Sequence, residues 1–347
     1  MDQRMLGAAG PVSAVGLGCM GMSGAYGPTD RAEAIDTVHA ALDAGVTLVD
    51  TGDFYGMGHN ELLVREAIGN RREEVVLSVK FGAQRGPDGS WHGFDARPAA
   101  VKTFLAYSLQ RLGTDYIDVY RPARLDPTVP IEDTVGAIAE CIDAGWVRHL
   151  GLSEVGADTI RRAHAVHPVA DVQIEYSLMS RGPESAILPS TRELGIAVTA
   201  YGVLSRGLLS GNWSTQRDIA PGDFRAHAPR FAPGNIDANL RLVDALGYVA
   251  AAIGATVAEV AMAWVLAQGE DVVPVIGART PGQLDGVLRA VALELDDAQL
   301  AAIEAAVPTD GVAGTRYGAP QMAGLDSERP PSAPADPTGG AAGDRRG

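Results

Sequence analysis

Short runs of Val, Ile and Leu alternate along the chain with longer segments in which apolar residues recur every three or four positions. The runs are VSAVGLG, TLVDT, EVVLSVKF, YIDVY, VRHLGLS, DVQIEYS, IAVTAY and VVPVIG. Apolar runs that do not alternate with polar residues are the mark of strands buried on both faces, and the spacing between the runs is that of helices. The helical segments begin near Arg31, Asn60, Pro98, Ile131, Asp158, Glu184, Ile236 and Pro281. Eight strands alternating with eight helices predict an α/β fold, a single-domain (β/α)8 TIM barrel. AEVAMAWVLAQ keeps helical spacing throughout, which places Trp264 in the core.

Two segments break the repeat. Residues 205–237, after the seventh strand, are rich in Gly and Pro and form a long loop where barrel loops build the mouth, in the place of a lid. From Asp326 onward, Pro, Gly and Ala dominate and too little surface can be buried to offset ordering. The expected division is therefore a barrel over 1–325 and a disordered tail over 326–347.

A chain of 347 residues, 46% of them hydrophobic, can bury a large core. Its formal charge of -15 leaves no basic face for nucleic acid, so a small molecule is the expected partner. Cys19 and Cys141 have neither disulfide nor thiolate-metal spacing, and no metal is expected. The start lacks a basic-then-apolar leader, and no run approaches the ~18 apolar residues of a membrane span. Those features predict a cytoplasmic protein without membrane contact; oligomeric state stays open.

Chemistry in such a barrel sits where strands end. Asp50 closes the second run and Lys80 the third, on neighbouring strands about 4.8 Å apart, so an ion pair is expected. Tyr55 follows on a turn between Gly52 and Gly56 that can bring its hydroxyl toward the ammonium. A cation beside a phenol favours the phenolate and makes the proton easier to give, while Asp50 holds the lysine charged. Asp50, Tyr55 and Lys80 would together make a general acid. GLGCMG at 16–21 matches a dinucleotide-binding pattern, but a loop follows it and the first helix cap is Thr29 or Asp30, which argues against a Rossmann site.

LVDTGDFYGMGHNELLVREAI and VVLSVKFG resemble signatures of the aldo-keto reductase superfamily. GLSEVG, QIEYSLMSR, AYGVLSRGLLSG and PVIGAR follow in that family's order, so the likeness spans Val12 to Val307. It implies NADPH-dependent reduction of a small carbonyl substrate, with Tyr55 donating a proton and Asp50 and Lys80 as its catalytic partners. The alternative is a catalytically weakened NADP(H)-binding sensor or auxiliary subunit. A departure supports that alternative: the family's histidine closing the fourth strand is matched by Ala123, in YIDVYRPARLDP. Arg121, Arg124, His92 and His59 are the candidates to replace it.

The resemblance also implies a cofactor pocket. Ser153 and Gln173 match positions that bind the nicotinamide carboxamide, and Tyr201 one that stacks beneath the ring. Glu154 stands where asparagine is frequent and ranks below Ser153. Leu204, Arg206, Gly207 and Leu208 match the stretch covering the pyrophosphate. Gly277, Arg279 and Gln283, with Thr280 and Pro281 opening a helix, match the site of the 2'-phosphate, which argues for NADP over NAD. Val287 replaces an asparagine near the adenine. Trp91, His92 and Tyr26 are expected near the substrate mouth.

Overall fold

The computed structural model describes residues 1–330 except 215, 217, 218 and 220–222. Its centre is a closed barrel of eight parallel strands: β1 (Gly16–Gly18), β2 (Leu48–Gly52), β3 (Val76–Phe81), β4 (Ile117–Pro122), β5 (Val147–Ser153), β6 (Val169–Glu175), β7 (Ala197–Tyr201) and β8 (Val272–Gly277). Each pairs with the next in sequence, and β8 closes on β1 with Val275 opposite Gly16. A Cβ on Gly16 would lie 2.8 Å from the Leu48 side chain, so only glycine fits where β1 meets the packed interior.

The outer ring comprises α1 (Arg31–Asp43), α2 (His59–Ile68), α3 (Pro98–Leu112), α4 (Ile131–Asp143), α5 (Ala157–Val166), α6 (Ile187–Glu193), α7 (Asn235–Ile253), α8 (Val257–Leu266) and α9 (Pro281–Val291). Asp30 caps α1 by accepting from the Glu33 amide, as expected of the residue after the decoy loop. A reciprocal capping box between Thr256 and Glu259 starts α8, whose Trp264 is fully buried. Two further helices, α10 (Asp297–Ala306) and α11 (Ala319–Ala323), lie beyond the repeat and were not foreseen. Among the described residues no single helix is long and apolar enough to cross a membrane.

The first apolar run does not form one strand. Pro11–Ser13 pairs antiparallel with Gln3–Met5, and only Gly16–Gly18 enters the barrel. Ser13 bonds the Val15 carbonyl through its hydroxyl and Thr47 through its amide, which turns the chain between the two pieces. The hairpin places Leu6 and Val12 against Leu48, Val119, Ala197, Val273 and Val275, sealing the amino-terminal end of the barrel.

The boundary at residue 325 also shifts. After α10 the chain crosses the opposite end of the barrel, and Asp326–Glu328 form a 3-10 turn docked on it. Asp326 accepts from the Gly156 amide at 2.8 Å, and Ser327 donates to Glu154 at 2.7 Å. Polar partners order a segment that composition alone marks as unable to order. The rest of the expected tail, 331–347, lies outside the described residues.

Above the apolar seal the interior turns polar. Arg121 and Asp171 are fully buried and paired at 2.8 Å; Arg121 also donates to Ser78 at 2.9 Å and Thr199 at 3.2 Å. A buried pair is strongly destabilised when one partner is removed and far less when both are replaced by apolar groups. Arg121→Met is therefore expected to lower unfolding free energy by about 3–5 kcal/mol in urea titrations, and adding Asp171→Leu to recover most of the loss. Equal losses in the single and double variants would contradict this.

Candidate active site

Side chains from β3 and β6 converge on Asp50 of β2. Its Oδ1 accepts from Lys80 Nζ, while Oδ2 accepts from Ser78 Oγ at 2.8 Å and from Gln173 Nε2 at 2.9 Å. Lys80 lies opposite Gly52 in the β2–β3 register, two pairs beyond Asp50 and Ser78, so the ion pair runs diagonally across the two strands. Burial alone would raise the Asp50 carboxyl, but Lys80 and Arg121, with hydrogen bonds from Lys80 and Gln173, outweigh it and leave the acid lowered. The Lys80 ammonium is lowered by burial, which Asp50 offsets only in part.

Tyr55 sits over this pair, with Lys80 Nζ 5.3 Å from its ring centroid. A Cβ on Gly52 would come within 3.4 Å of the Tyr55 ring, so Gly52 provides space for the ring. The turn itself is made by Gly56, Met57 and Gly58, all at positive φ. The Tyr55 hydroxyl has no hydrogen-bond partner among the described residues. Its acidity differs from the sequence expectation. Burial, then the Asp50 carboxylate, pushes the phenol well above its usual range; Arg124 is the cation that pulls it back. The Lys80 charge is matched by Asp50 before it reaches the phenol.

Ala123, just past β4, is almost fully buried and borders a cavity of about 310 Å³. Of the four candidates to replace the histidine, only Arg124 lines that cavity. Arg121 is committed to Asp171 inside the barrel. His59 is exposed and bonded to Ser23, and His92 is exposed on the hairpin formed by Ala83–Arg85 and Trp91–Phe94. Trp91 does border the cavity, as expected, together with Phe54, Phe94 and Tyr317.

The expected cofactor residues surround the same mouth. Ser153 ends β5 fully buried, and its Oγ has no hydrogen-bond partner. An orphaned buried hydroxyl is costly, and here it stands where the sequence places a ligand's amide. Gln173 uses its amide nitrogen on Asp50. Tyr201 ends β7 partly exposed and donates to Glu154 at 2.7 Å. Leu204 precedes the turn Ser205–Ser210, in which Gly207 adopts φ 97° and Leu208 turns its side chain into the core. Arg206 is bound to Glu175 at 2.9 Å and to the Arg316 carbonyl at 2.7 Å. Gly277 ends β8 exposed, Thr280 caps α9 with Pro281 in its first turn, and Gln283 accepts from the Arg279 amide at 2.9 Å. The Arg279 guanidinium donates to the Tyr26 carbonyl at 3.1 Å.

Three participants escaped the sequence reading. Arg316 and Tyr317 belong to the segment that crosses the mouth, where Arg316 makes a two-point pair with Glu154 at 2.5 and 2.8 Å. Burial would raise the Glu154 carboxyl, but Arg316 brings it down to about 2. Glu154 thus anchors this strap, which explains an acid where the resemblance leads one to expect asparagine. The only signal was that substitution. The third is Asp53, buried beside the Tyr55 turn.

The chain from 14 to 308 matches the family model described as Aldo/keto reductase family. The chain belongs to that family. It is 42% identical over 310 residues to probable aldo-keto reductase 1 of Glycine max, covering 88% of each chain. Against the yakc aldo-keto reductase of Schizosaccharomyces pombe, whose name carries NADP(+), identity is 39% over 316 residues, 88% of this chain and 92% of the relative. Among solved structures, a glycerol dehydrogenase from Gluconobacter oxydans superposes with TM-score 0.80 at 28% identity, covering 97% and 98% of the two chains. The holo form of an aldo-keto reductase from Bacillus halodurans gives 0.74 at 28% identity, covering 89% and 97%. Aldo/keto reductases are oxidoreductases of the carbonyl–alcohol couple, and so is this chain.

Asp53 is buried with Oδ1 unpartnered and Oδ2 accepting from the Gly82 amide at 3.3 Å. Burial, only partly offset by that bond, raises its carboxyl to about 7. A raised acid favours the folded state below its unfolded value, near 4, and that contribution is lost as pH rises to 7. Asp53→Asn is expected to flatten this pH 4–7 decline by about 4 kcal/mol relative to wild type in denaturant titrations. Parallel stability profiles for the two proteins would refute it.

Proposed function

We infer that the chain reduces an aldehyde or ketone to the alcohol with NADPH, and that Tyr55 is the general acid. One observation carries the reading: a phenol with an uncommitted hydroxyl is set against the buried Asp50–Lys80 pair at a barrel mouth. The fold places those residues on adjacent strand ends, where this architecture keeps its chemistry.

The dinucleotide fits the residues present. Ser153 Oγ lacks a partner, and Gln173, having spent its nitrogen on Asp50, keeps its oxygen as an acceptor for a ligand's amide. Tyr201 offers a partly exposed ring. At the other end Arg279, Gln283 and the first turn of α9 would hold the 2'-phosphate, with Gly277 leaving the approach open. Leu204, Arg206, Gly207 and Leu208 would cover the pyrophosphate through the backbone of their turn, since Arg206 and Leu208 point their side chains inward. When bound, reduced nicotinamide supplies the hydride.

Tyr55 holds its proton across the physiological range because burial disfavours the phenolate. That proton is released only when negative charge develops on the substrate oxygen, the moment at which a nearby cation is worth most. Lys80 meets the phenol ring, and Asp50, fixed by Ser78 and Gln173, holds Lys80 in place. The alternative, a nucleotide-bound sensor or auxiliary subunit, rests on Ala123 alone, and the Asp50–Lys80 pair with Tyr55 over it favours the enzyme.

Tyr55→Phe removes the donated proton and leaves the ring. It is expected to lower kcat by roughly 10²–10⁴ on a panel of aldehydes and ketones, with NADPH affinity within a few-fold by fluorescence titration. Undiminished turnover would sink the assignment.

A further inference from the structure

The barrel mouth is crowded with cations, nearly all of them neutralised. Lys80 pairs with Asp50, Arg206 and Arg230 with Glu175, Arg316 with Glu154, and Arg225 with Asp223. Two make no ion pair among the described residues. One is Arg279, assigned above to the dinucleotide phosphate. The other is Arg124, which follows Ala123.

Arg124 Nη1 donates to the Ala123 carbonyl at 2.6 Å, and Nη2 donates to the Tyr317 hydroxyl at 3.2 Å. The Tyr317 hydroxyl meets that of Tyr201 at 2.9 Å, and Tyr201 donates to Glu154. A guanidinium only donates and a carboxylate only accepts, so the chain runs one way, from Arg124 through both phenols to Glu154. Along that path Arg124 reaches a carboxylate only at the third step. Its remaining N–H groups have no protein acceptor among the described residues.

The cavity that Arg124 borders has mostly apolar and aromatic walls, from Phe54, Trp91, Phe94, Tyr317 and Leu325, with Gln321 as a neutral polar neighbour. Phe54 directly precedes Tyr55, and Ala123 directly follows β4, so the cavity adjoins the proton donor. A planar guanidinium among aromatic walls is the fork that receives the two oxygens of a carboxylate. Arg124 lies against the Tyr317 ring, 5.9 Å from its centroid, and no carboxylate of the described residues pairs with it directly.

We propose that Arg124 binds a carboxylate on the substrate, so that the preferred class is an oxo acid, a carbonyl compound carrying a carboxylate on an apolar or aromatic body. This rests on the carbonyl-reductase reading given above. Ala123 then serves the same end, because its small side chain leaves the body of the acid room to lie between Tyr55 and Arg124.

Calorimetry of the NADP+-loaded full chain with 4-(hydroxymethyl)benzoate and its methyl ester reads the anion site without turnover. The acid is expected to bind at least about tenfold tighter than the ester, and in Arg124→Gln the ratio is expected to fall to about one. Arg124→Lys retains part of the preference. Tyr317→Phe removes the same hydrogen bond but keeps the cation, and is expected to keep the ratio. Equal binding of acid and ester by wild type, or a preference that survives in Arg124→Gln, would overturn the proposal. So would loss of the ratio in Tyr317→Phe to the same extent, or tighter binding of the corresponding aryl phosphate than of the acid. With 4-carboxybenzaldehyde and its methyl ester as substrates, kcat/KM should show the same ratio. An intact binding preference with no reduction of either aldehyde would defeat the reductase reading and leave the anion site standing.

Discussion

A charge inside a barrel must be matched there, and the matching of Asp50 organises everything around the mouth. Lys80 neutralises it, Ser78 and Gln173 fill its second oxygen, and Ser78 ties it to Arg121 and so to Asp171. Strands β2, β3, β4 and β6 are joined through one connected set of donors and acceptors. Such a network specifies geometry well when it is fully satisfied and poorly when it is not. Around Asp50 both carboxylate oxygens are engaged, which keeps Lys80 under the phenol, while deeper in the barrel Arg121 Nε and Asp171 Oδ1 are left without partners.

A second matched charge, on Glu154, does for the rim what Asp50 does for the interior. The acid sits fully buried at the end of β5, and Arg316 reaches it from the segment after α10. The same arginine meets Glu328, and Arg206 from the loop after β7 donates to the Arg316 carbonyl of the strap. The long loop and the strap are therefore held to each other as well as to the barrel. Phe224, in that loop, bonds the Ala25 carbonyl in the loop after β1, so the mouth is framed by segments far apart in sequence.

The periodicity of apolar runs was enough to read the barrel, because strands buried on both faces and helices buried on one leave different spacings. Seven of the eight runs became single barrel strands within a few residues. The first failed because a hairpin and a strand can share one apolar run when a serine bends the chain between them. Asp50, Lys80 and Tyr55 were legible because strand ends are where polar residues in apolar runs must have a purpose. The strap was not: TRYGAP has no period, and its place depends on an acid 162 positions earlier. The direction of the Tyr55 shift was missed for a related reason. Proximity of a lysine was visible in sequence, but cancellation of its field by a neighbour that it already neutralises is a property of three-dimensional arrangement.

The partnerless Ser153 hydroxyl has one more consequence. A fold that seals a polar group away without satisfying it sits higher in free energy than it need, and a guest that completes the bond draws the population toward the compact form by mass action. The empty barrel and the loaded barrel should then differ in lifetime against proteases and heat. The nucleotide, oxidised or reduced, would in this way protect the chain from degradation.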